Sequence, residues 1–192
     1  MTNRLRQLRD WFARKMWRRW ALRFVCVWIA GWFGLQVAVA FMPLPAGMDV
    51  PPVMSPQAAD RHGEPLRLLL TSDERFFQPI ALEECAPIFL NATVAAEDKR
   101  FWRHAGVDWF STARAVKEIA VHRRVMSGAS TITQQLIKNA EPRPRTVCTK
   151  IIESLQALKL ERRWTKRQIL TAYLNRIDYG NLCRGAGTAA GP

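Results

Sequence analysis

A stretch of nineteen uncharged residues, Phe24 to Met42, constrains this chain more than any other feature. About twenty apolar residues are enough for a helix to cross a bilayer. Eight Lys or Arg side chains and one acid precede the stretch in residues 1–23. Because basic flanks are retained on the cytoplasmic side of a membrane, we predict a cytoplasmic segment at 1–23, a transmembrane helix at 24–42 and an extracytoplasmic remainder.

A cleaved signal peptide is the alternative interpretation of this region. The uncharged stretch is longer than the apolar part of a typical signal peptide, and no clear small-x-small cleavage site follows the stretch before Pro43. Both observations favour a retained anchor. Five prolines from Pro43 to Pro56 then predict a semi-rigid linker over 43–60, followed by a folded domain over 61–192.

The chain is strongly basic, with a net charge of +13. Residues 24–192 still hold 21 bases against 15 acids, so the exported part is expected to favour anionic partners such as lipid head groups and diphosphates. Its predicted position outside the membrane disfavours nucleic acid. The cysteines and histidines lack metal-ligand spacing. The cysteines are therefore interpreted mainly as small apolar residues, with one disulfide left open.

Beyond the linker, turn signals and hydrophobic periodicity predict a mainly α-helical domain with one small β-hairpin. The hairpin is predicted from Leu66–Thr71 and Arg75–Ile80, with a separate turn at His62 to Glu64. Capping residues and apolar spacing predict five helices. They run from Pro87 to Glu97, Asp108 to about His122, Ser130 to Asn139, Thr146 to Arg163 and Thr165 to Asn175.

Two polar runs predict a cleft. Glu97 to Gly106 holds two adjacent carboxylates, a histidine and several bases, and Gly128 to Gln135 follows some twenty residues later. A carboxylate inside a basic cleft suits general-base chemistry on an anionic substrate. Glu97 is the candidate base, because it ends an apolar helix where partial burial favours the protonated form of a carboxyl group. A helix-end acid paired with Lys99 or Arg100 is the alternative.

Four ordered motifs resemble those of the peptidoglycan glycosyltransferases, which polymerise lipid II and also occur fused in class A penicillin-binding proteins. One motif alone would be weak, but four in order are specific. The similar segments are Glu97 to Gly106, Gly128 to Gln135, Lys150 to Glu153, and Lys166 to Gly180. Before the first motif, the chain most resembles the penicillin-binding protein 1C branch at Asp60, Gly63, Pro65 and Leu66.

The resemblance implies a lysozyme-like helical fold and an inverting transfer outside the bacterial inner membrane. Glu97 would take the proton from the C4 hydroxyl of the acceptor sugar of lipid II. That oxygen would attack the anomeric carbon of the growing strand's terminal sugar, and undecaprenyl diphosphate would leave. The implied partners are lipid II, the glycan strand, membrane lipids and cell-wall synthesis proteins. A divalent cation, Mg²⁺ or Mn²⁺, would sit on the diphosphate, with no organic cofactor.

The resemblance also implies the residues of the site. Glu153 matches a second acid that would orient Lys138 or Arg145 or hold the cation; a surface acid bonded to Lys150 is the alternative. Backbone donors of the helix beginning at Ser130 would add phosphate contacts. The substrate-binding candidates are Asp98, Phe101, His104, Gly106, Ser130, Thr131, Gln134, Gln135, Lys138, Asn139, Arg145 and Lys150.

Several of these candidates have competing structural roles. His104 is expected to be a structural hydrogen-bonding residue rather than a second base. Tyr173 and Asn175 are expected to pack or bond beneath the cleft. An amphipathic basic segment between the first two motifs is expected either to rest in the outer leaflet or to face the core. It comprises Trp109, Phe110, Arg114, Val116, Lys117, Ile119, Val121, His122, Arg123 and Arg124.

The match also has departures. Thr149 stands where the third motif usually has Arg, and the fifth motif, begun by Gly185 to Ala190, stops before its aromatic pair. The C-terminal end of the domain is therefore expected to be missing. Two other functions stay open: a lysozyme-like hydrolase of finished glycan, which needs a second carboxyl group or a water-activating base, and a non-catalytic, truncated module that binds lipid II.

Overall fold

The computed structural model describes residues 2–122 and 130–190 and divides the chain into two compact units, residues 1–41 and 42–192. The first unit is helix α1 (Thr2–Phe41), whose side chains are described from Met16 onward. The 26 residues Met16–Phe41, with a mean hydropathy of 2.0, are long and apolar enough to cross a membrane. The predicted apolar helix is confirmed, and the predicted basic segment continues it as helix.

The second unit is mainly helical, as predicted. Its helices are α2 (Pro87–Glu97), α3 (Trp109–His122), α4 (Ile132–Ala140), α5 (Val147–Arg163), α6 (Lys166–Leu174) and α7 (Ala186–Ala189). One short 3₁₀ turn, Leu82–Glu84, precedes α2, and another, Phe101–Arg103, lies between α2 and α3. Threonine side chains begin α4, α5 and α6, each accepting the backbone N–H three residues later: Thr131, Thr146 and Thr165. The third predicted helix therefore begins one residue later than expected.

The strands form two small sheets instead of the predicted hairpin. Strand β1 (Gln57–Ala59) pairs antiparallel with β2 (Pro65–Leu68) around the predicted turn, where Gly63 has a positive φ of 86°. Strand β3 (Phe76–Phe77) pairs in parallel with β5 (Cys183–Arg184), and β5 pairs antiparallel with β4 (Asp178–Gly180). The predicted pairing is wrong because β3 finds its partner near the end of the chain.

The core lies where α4 packs against α5 and α6. Buried apolar side chains come from all three helices and from the turn after α2. The largest fully buried ones are Phe101, Ile132, Leu136, Ile137, Leu160, Ile169, Leu170, Tyr173 and Leu174. The core therefore fixes α4, which carries the second half of the second motif, relative to the end of α2.

The proline-rich segment belongs to this second unit and is not a free linker. Met48 is buried in the core, and Ser55 exchanges hydrogen bonds of 2.8 Å with the backbone of Phe77. The Arg176 guanidinium donates to the carbonyls of Met48 and Val50 at 3.1 and 2.8 Å. The compact unit therefore begins at residue 42 rather than 61.

Candidate active site

Glu97 ends α2, and its side chain is exposed beside α4. Gln135 Nε2 donates a hydrogen bond of 2.7 Å to Glu97 Oε2. The predicted partial burial of Glu97 is wrong: the chain turns at Asp98, and that second carboxylate enters the interior instead, with 7% exposure. The alternative pairing with Arg100 is not found either, since Arg100 binds Asp108.

Tyr173 fixes the orientation of the Gln135 amide. Its hydroxyl donates to Gln135 Oε1 at 3.3 Å, and the ring is fully buried in α6. Burial, together with the negative charge of Glu97, raises the pKa of Tyr173 well above its ordinary value, so the phenol remains a donor. Because its carbonyl oxygen is held by Tyr173, the amide presents its N–H to Glu97.

Asp98 and His104 join the first motif to α4. His104 Nε2 lies 2.9 Å from Asp98 Oδ2, and the Gly106 N–H donates to His104 Nδ1 at 3.1 Å. This geometry selects the tautomer with its proton on Nε2, which donates to the carboxylate. Asp98 Oδ2 also accepts the Ile132 N–H at 3.1 Å. The expectation of a structural His104 is confirmed, and Asp98 shares that role.

Gly106 brings the same loop against α5. Its φ is +96°, and an added Cβ would lie 2.6 Å from the Ala157 carbonyl oxygen. Its own carbonyl accepts from Thr131 Oγ1 at 2.6 Å. Phe101, another candidate, is fully buried in the core. Gly106 and Phe101 therefore position the site from beneath instead of contacting substrate.

The N-terminus of α4 is capped internally. Thr131 and Gln134 form a reciprocal capping box, with both side chain–backbone bonds at 3.2 Å. Gln134 Nε2 also donates to Ser154 Oγ at 2.9 Å, and the Ile132 N–H is taken by Asp98. Both side chains are buried and bonded within the protein, although Thr131 also lines the cleft beside Glu97, and their predicted substrate roles stay predictions. The same holds for the predicted phosphate contacts from these backbone donors.

A polar cleft of about 540 Å³ opens beside Glu97. Its basic lining residues are Lys99, Arg100 and Arg114, and Ser130 lies at its wall. Lys150 Nζ donates to Ser130 Oγ at 2.7 Å and lies 3.3 Å from the buried Glu153 carboxylate. The cleft thus holds Glu97 and cations, and Ser130 connects its wall to Lys150 and Glu153. The alternative expectation for Glu153, a bond to Lys150, is found, although Glu153 is buried rather than on the surface.

Three other predicted substrate-binding residues are not among those that line the Glu97 cleft. Lys138 and Asn139 are exposed at the end of α4, one turn beyond Gln135, and line a separate cavity. Arg145 is exposed in the loop before α5. Arg143, which the motifs did not mark, fastens this loop by donating to Gln156 Oε1 at 3.0 Å. Lys150 is therefore linked to the wall of the Glu97 cleft through Ser130, whereas Arg145 is not among the lining residues of that cleft.

Asp108 caps α3, as predicted, and ties it to the cleft through Arg100. Its carboxylate accepts from Arg100 Nε at 2.9 Å, Ser111 Oγ at 2.7 Å and two backbone N–H groups at 3.1 Å. Although burial alone would raise it, the hydrogen bonds from Ser111 and the charged contact with Arg100 lower the pKa of Asp108 to about 2.

This lowered pKa predicts a loss of stability in acid. A carboxyl group with a depressed folded-state pKa stabilises the fold above its unfolded value, and the contribution disappears as pH falls towards 2. The contribution is about 2 kcal/mol near neutral pH. We expect the gap in unfolding free energy between the parent and Asp108→Asn to shrink by about 1 kcal/mol between about pH 6 and pH 3. Urea denaturation of both proteins at each pH measures this difference. A difference that stays constant with pH would contradict the lowered pKa of Asp108.

Four apolar side chains of α3 are exposed on the surface of the protein. Trp109 is 60% and Phe110 78% exposed, and Val116 and Val121 are exposed as well. Arg114 and Lys117 are interleaved with them. A core-facing role is therefore excluded for these four apolar residues. The remaining predicted members include Arg123 and Arg124, which lie outside the described residues.

A protein-held metal ion does not fit the described residues. They contain no group of three or more His, Cys, Asp or Glu side chains placed to hold one. Glu153, the candidate ligand, is already paired with Lys150. The predicted divalent cation stays a prediction, and no chemical step is derived through it.

An apolar N-terminal helix is followed in the chain by a mainly helical unit. The exposed Glu97 carboxylate of this unit lines a cleft that also contains cations. The profile of the Transglycosylase family matches residues 62–191, about two thirds of the chain. The chain belongs to this family, as the peptidoglycan transglycosylase domain of class A penicillin-binding proteins. The resemblance inferred from the four motifs is confirmed.

Curated relatives agree with the family. Penicillin-binding protein 1C of Escherichia coli (strain K12) is 40% identical over 128 residues, covering 67% of this chain and 17% of the relative. Penicillin-binding protein 1A of Aquifex aeolicus (strain VF5) is 38% identical over 138 residues, covering 70% of this chain and 19% of that protein. Penicillin-binding protein 1A of Neisseria gonorrhoeae is 45% identical over 104 residues, or 54% and 13% of the two chains. The chain thus spans less than a fifth of these relatives.

Proposed function

We propose that this chain transfers glycosyl units from a lipid-linked diphosphate donor to lipid II, on the outer side of the bacterial inner membrane. The observation that carries the proposal is the placement of Glu97. Its carboxylate is exposed at the cleft, Oε2 is held by Gln135, and Oε1 accepts no hydrogen bond from the described residues. That oxygen is available to accept a proton from a sugar hydroxyl.

In the proposed step, Glu97 takes the proton from the C4 hydroxyl of the acceptor sugar. The hydroxyl oxygen forms a bond to the anomeric carbon of the donor strand, and the bond from that carbon to the diphosphate breaks. The diphosphate leaves with the electron pair, so the anomeric configuration inverts. Negative charge develops on the leaving oxygen, where cations are most effective. The compensating positive charge comes from Lys150, which is held by Ser130 and Glu153, and from the cleft residues Lys99 and Arg114.

A hydrolytic function has less support. A retaining hydrolase needs a second carboxyl group about 5 Å from the first, and an inverting one needs a pair separated by a water molecule. The other carboxylates that line the Glu97 cleft are Asp98 and Asp108, and both are engaged by internal hydrogen bonds. Release of muropeptides from mature sacculi would nevertheless favour hydrolysis.

The exposed apolar residues of α3 suit a substrate that carries a lipid. Trp109 and Phe110 are exposed beside Arg114, and apolar side chains interleaved with bases favour the interface of an anionic membrane. We propose that this face rests in the outer leaflet, so that lipid II reaches the cleft from the membrane side.

Strand synthesis by the purified full chain, with lipid II in detergent, tests the proposal. Growth of glycan strands supports it. Binding of lipid II without any turnover would instead support the non-catalytic module, and neither binding nor turnover would contradict both.

Tyr173→Phe is expected to slow this reaction without unfolding the protein. Phenylalanine keeps the buried ring but removes the donor that orients Gln135, so the amide is released to turn its carbonyl towards Glu97. One lost hydrogen bond of about 1 kcal/mol predicts a kcat roughly fivefold to tenfold lower. KM should change little.

Tyr179→Phe is the matched control, because Tyr179 makes no hydrogen bond to Gln135 and is partly exposed. Steady-state rates compare the two variants with the parent. Equal effects of the two substitutions on kcat would contradict the orienting role of Tyr173.

A further inference from the structure

The first two residues after the apolar helix are fastened to α5. Met42 and Pro43 follow α1 directly and begin the second compact unit. Gln156 Nε2 donates to the Pro43 carbonyl at 2.7 Å, and Lys159 Nζ donates to the Met42 carbonyl at 2.8 Å. Gln156 and Lys159 are three residues apart, on one face of the helix. We call these two side chains, with their two bonds, the anchor clamp.

The amide of Gln156 is held in one orientation. Gln156 is 2% exposed, and its Oε1 accepts from Arg143 Nη1 at 3.0 Å. Glu141 in turn holds the Arg143 guanidinium with bonds of 3.1 and 2.6 Å. A reversed amide would place its N–H groups against the guanidinium and its oxygen against the Pro43 carbonyl, so both bonds would be lost. The Arg143 contact therefore directs the N–H of Gln156 towards Pro43.

Helix α5 connects the anchor clamp to the Glu97 cleft. Lys150, which is bonded to the cleft wall, precedes Gln156 by six residues, or about 9 Å along the helix. Ser154, between them, accepts from Gln134 of α4 at 2.9 Å. The distance from Met42 to the cleft is therefore set by one helix and its bonds, and not by the proline-rich segment.

Without the clamp, this distance would vary. Leu44 is only partly buried, and Met48 is the next member of the buried core along the chain. A chain released from Met42 to Met48 could extend to about 20 Å. A cleft on such a tether would spend only part of its time within reach of a substrate in the bilayer. The apparent affinity for that substrate falls in proportion to the competent fraction.

We propose that Gln156 and Lys159 are positioning residues for the transfer reaction. By fastening Met42 and Pro43 to α5, they hold the Glu97 cleft at a short, constant distance from the point where the chain leaves the membrane-spanning helix. A substrate held in the bilayer by its own lipid then finds the cleft within reach. The role in the reaction rests on the proposed function, whereas the fastening of Met42 and Pro43 does not.

Glycan synthesis in two media tests the positioning role. Gln156→Met and Lys159→Met of the full chain each keep much of the side chain's length and remove its donor. In phosphatidylcholine vesicles, each is expected to raise the KM for lipid II by roughly threefold or more, with kcat within about twofold of the parent. In detergent micelles, where no bilayer fixes the position of lipid II, the KM should stay within about twofold of the parent.

Ser55→Ala is the matched control. Like Gln156, Ser55 is 2% exposed, and its Oγ accepts the Phe77 N–H at 2.8 Å. The substitution removes a buried hydrogen bond from the same proline-rich segment but leaves the anchor clamp intact, so its KM in vesicles should match that of the parent. An unchanged KM in vesicles for both clamp variants, equal rises in both media, or an equal rise in Ser55→Ala would overturn the positioning role.

Hydrogen exchange of the full chain in vesicles tests the fastening without any turnover. The backbone N–H groups of residues 44–47 are expected to exchange roughly threefold faster or more in both clamp variants, and at the parent rate in Ser55→Ala. Unchanged exchange in both clamp variants would overturn the proposal, because the two bonds would then not hold the segment. A parent that makes no glycan in either medium would contradict the proposed function and the positioning role, while the exchange rates would still decide the fastening.

Discussion

Replacement of Glu97 by glutamine is expected to lower kcat/KM for glycan synthesis by roughly 10²–10⁴-fold, the usual contribution of a positioned general base. Glutamine matches the size of glutamate, and the exposed position leaves the fold undisturbed. An amide cannot take up the proton of the attacking hydroxyl. Initial rates of strand synthesis from labelled lipid II, with lipid II affinity measured beside them, give the result: turnover should fall far more than binding.

Glu64→Gln is the charge-matched control, because Glu64 is exposed in the turn between β1 and β2 and only its backbone is hydrogen-bonded there. It removes the same charge far along the chain from the motifs and should leave the rate unchanged. Synthesis by Glu97→Gln at the rate of the parent would show that another group takes the proton.

Gly106→Ala is expected to reduce the free energy of unfolding by about 2–5 kcal/mol. The left-handed backbone at Gly106 costs a residue with a side chain about 1–2 kcal/mol. The new methyl group would also lie 2.6 Å from the Ala157 carbonyl oxygen, and such crowding of a packed interior adds about 1–3 kcal/mol. Because the obstacle is helix backbone, it cannot move aside as a side chain would. Urea denaturation of the detergent-solubilised chain measures the loss.

Gly63→Ala separates the two causes of that loss. Gly63 also has a positive φ, of 86°, but nothing lies within 4 Å of the position that an added Cβ would occupy there. It should therefore lose only the backbone part, about 1–2 kcal/mol. If both variants lost the same free energy of unfolding, the close approach of Gly106 to α5 would contribute nothing to the effect of Gly106→Ala.

Local patterns predicted the helices well, because helix ends depend on nearby residues. Asp108, Thr146 and Thr165 begin helices where their side chains accept the backbone N–H groups that follow. At the start of α4, both Ser130 and Thr131 have a hydroxyl group that could cap the helix. Thr131 caps instead of Ser130 because Gln134, three residues later, returns the bond and completes a capping box.

Features that depend on distant partners were not predictable. The sequence placed Glu97 and Asp98 side by side, but which one is buried depends on His104 and the backbone of Ile132. Strand β3 pairs with β5, more than a hundred residues later. The ion pair between Arg75 and Asp178 joins the chain over a similar separation, so no window of sequence could reveal it. The motifs did name Gln135 and Tyr173, but not the hydrogen bonds that link them to Glu97.

The anomeric configuration of the first new linkage tests the central claim most directly. If Glu97 removes a proton while the acceptor oxygen displaces the diphosphate, the linkage made from lipid II with a ¹³C-labelled anomeric carbon has the configuration opposite to the donor's. Nuclear magnetic resonance of the isolated product distinguishes the two anomers. A product that keeps the donor configuration would contradict direct displacement of the diphosphate by the acceptor oxygen that Glu97 deprotonates.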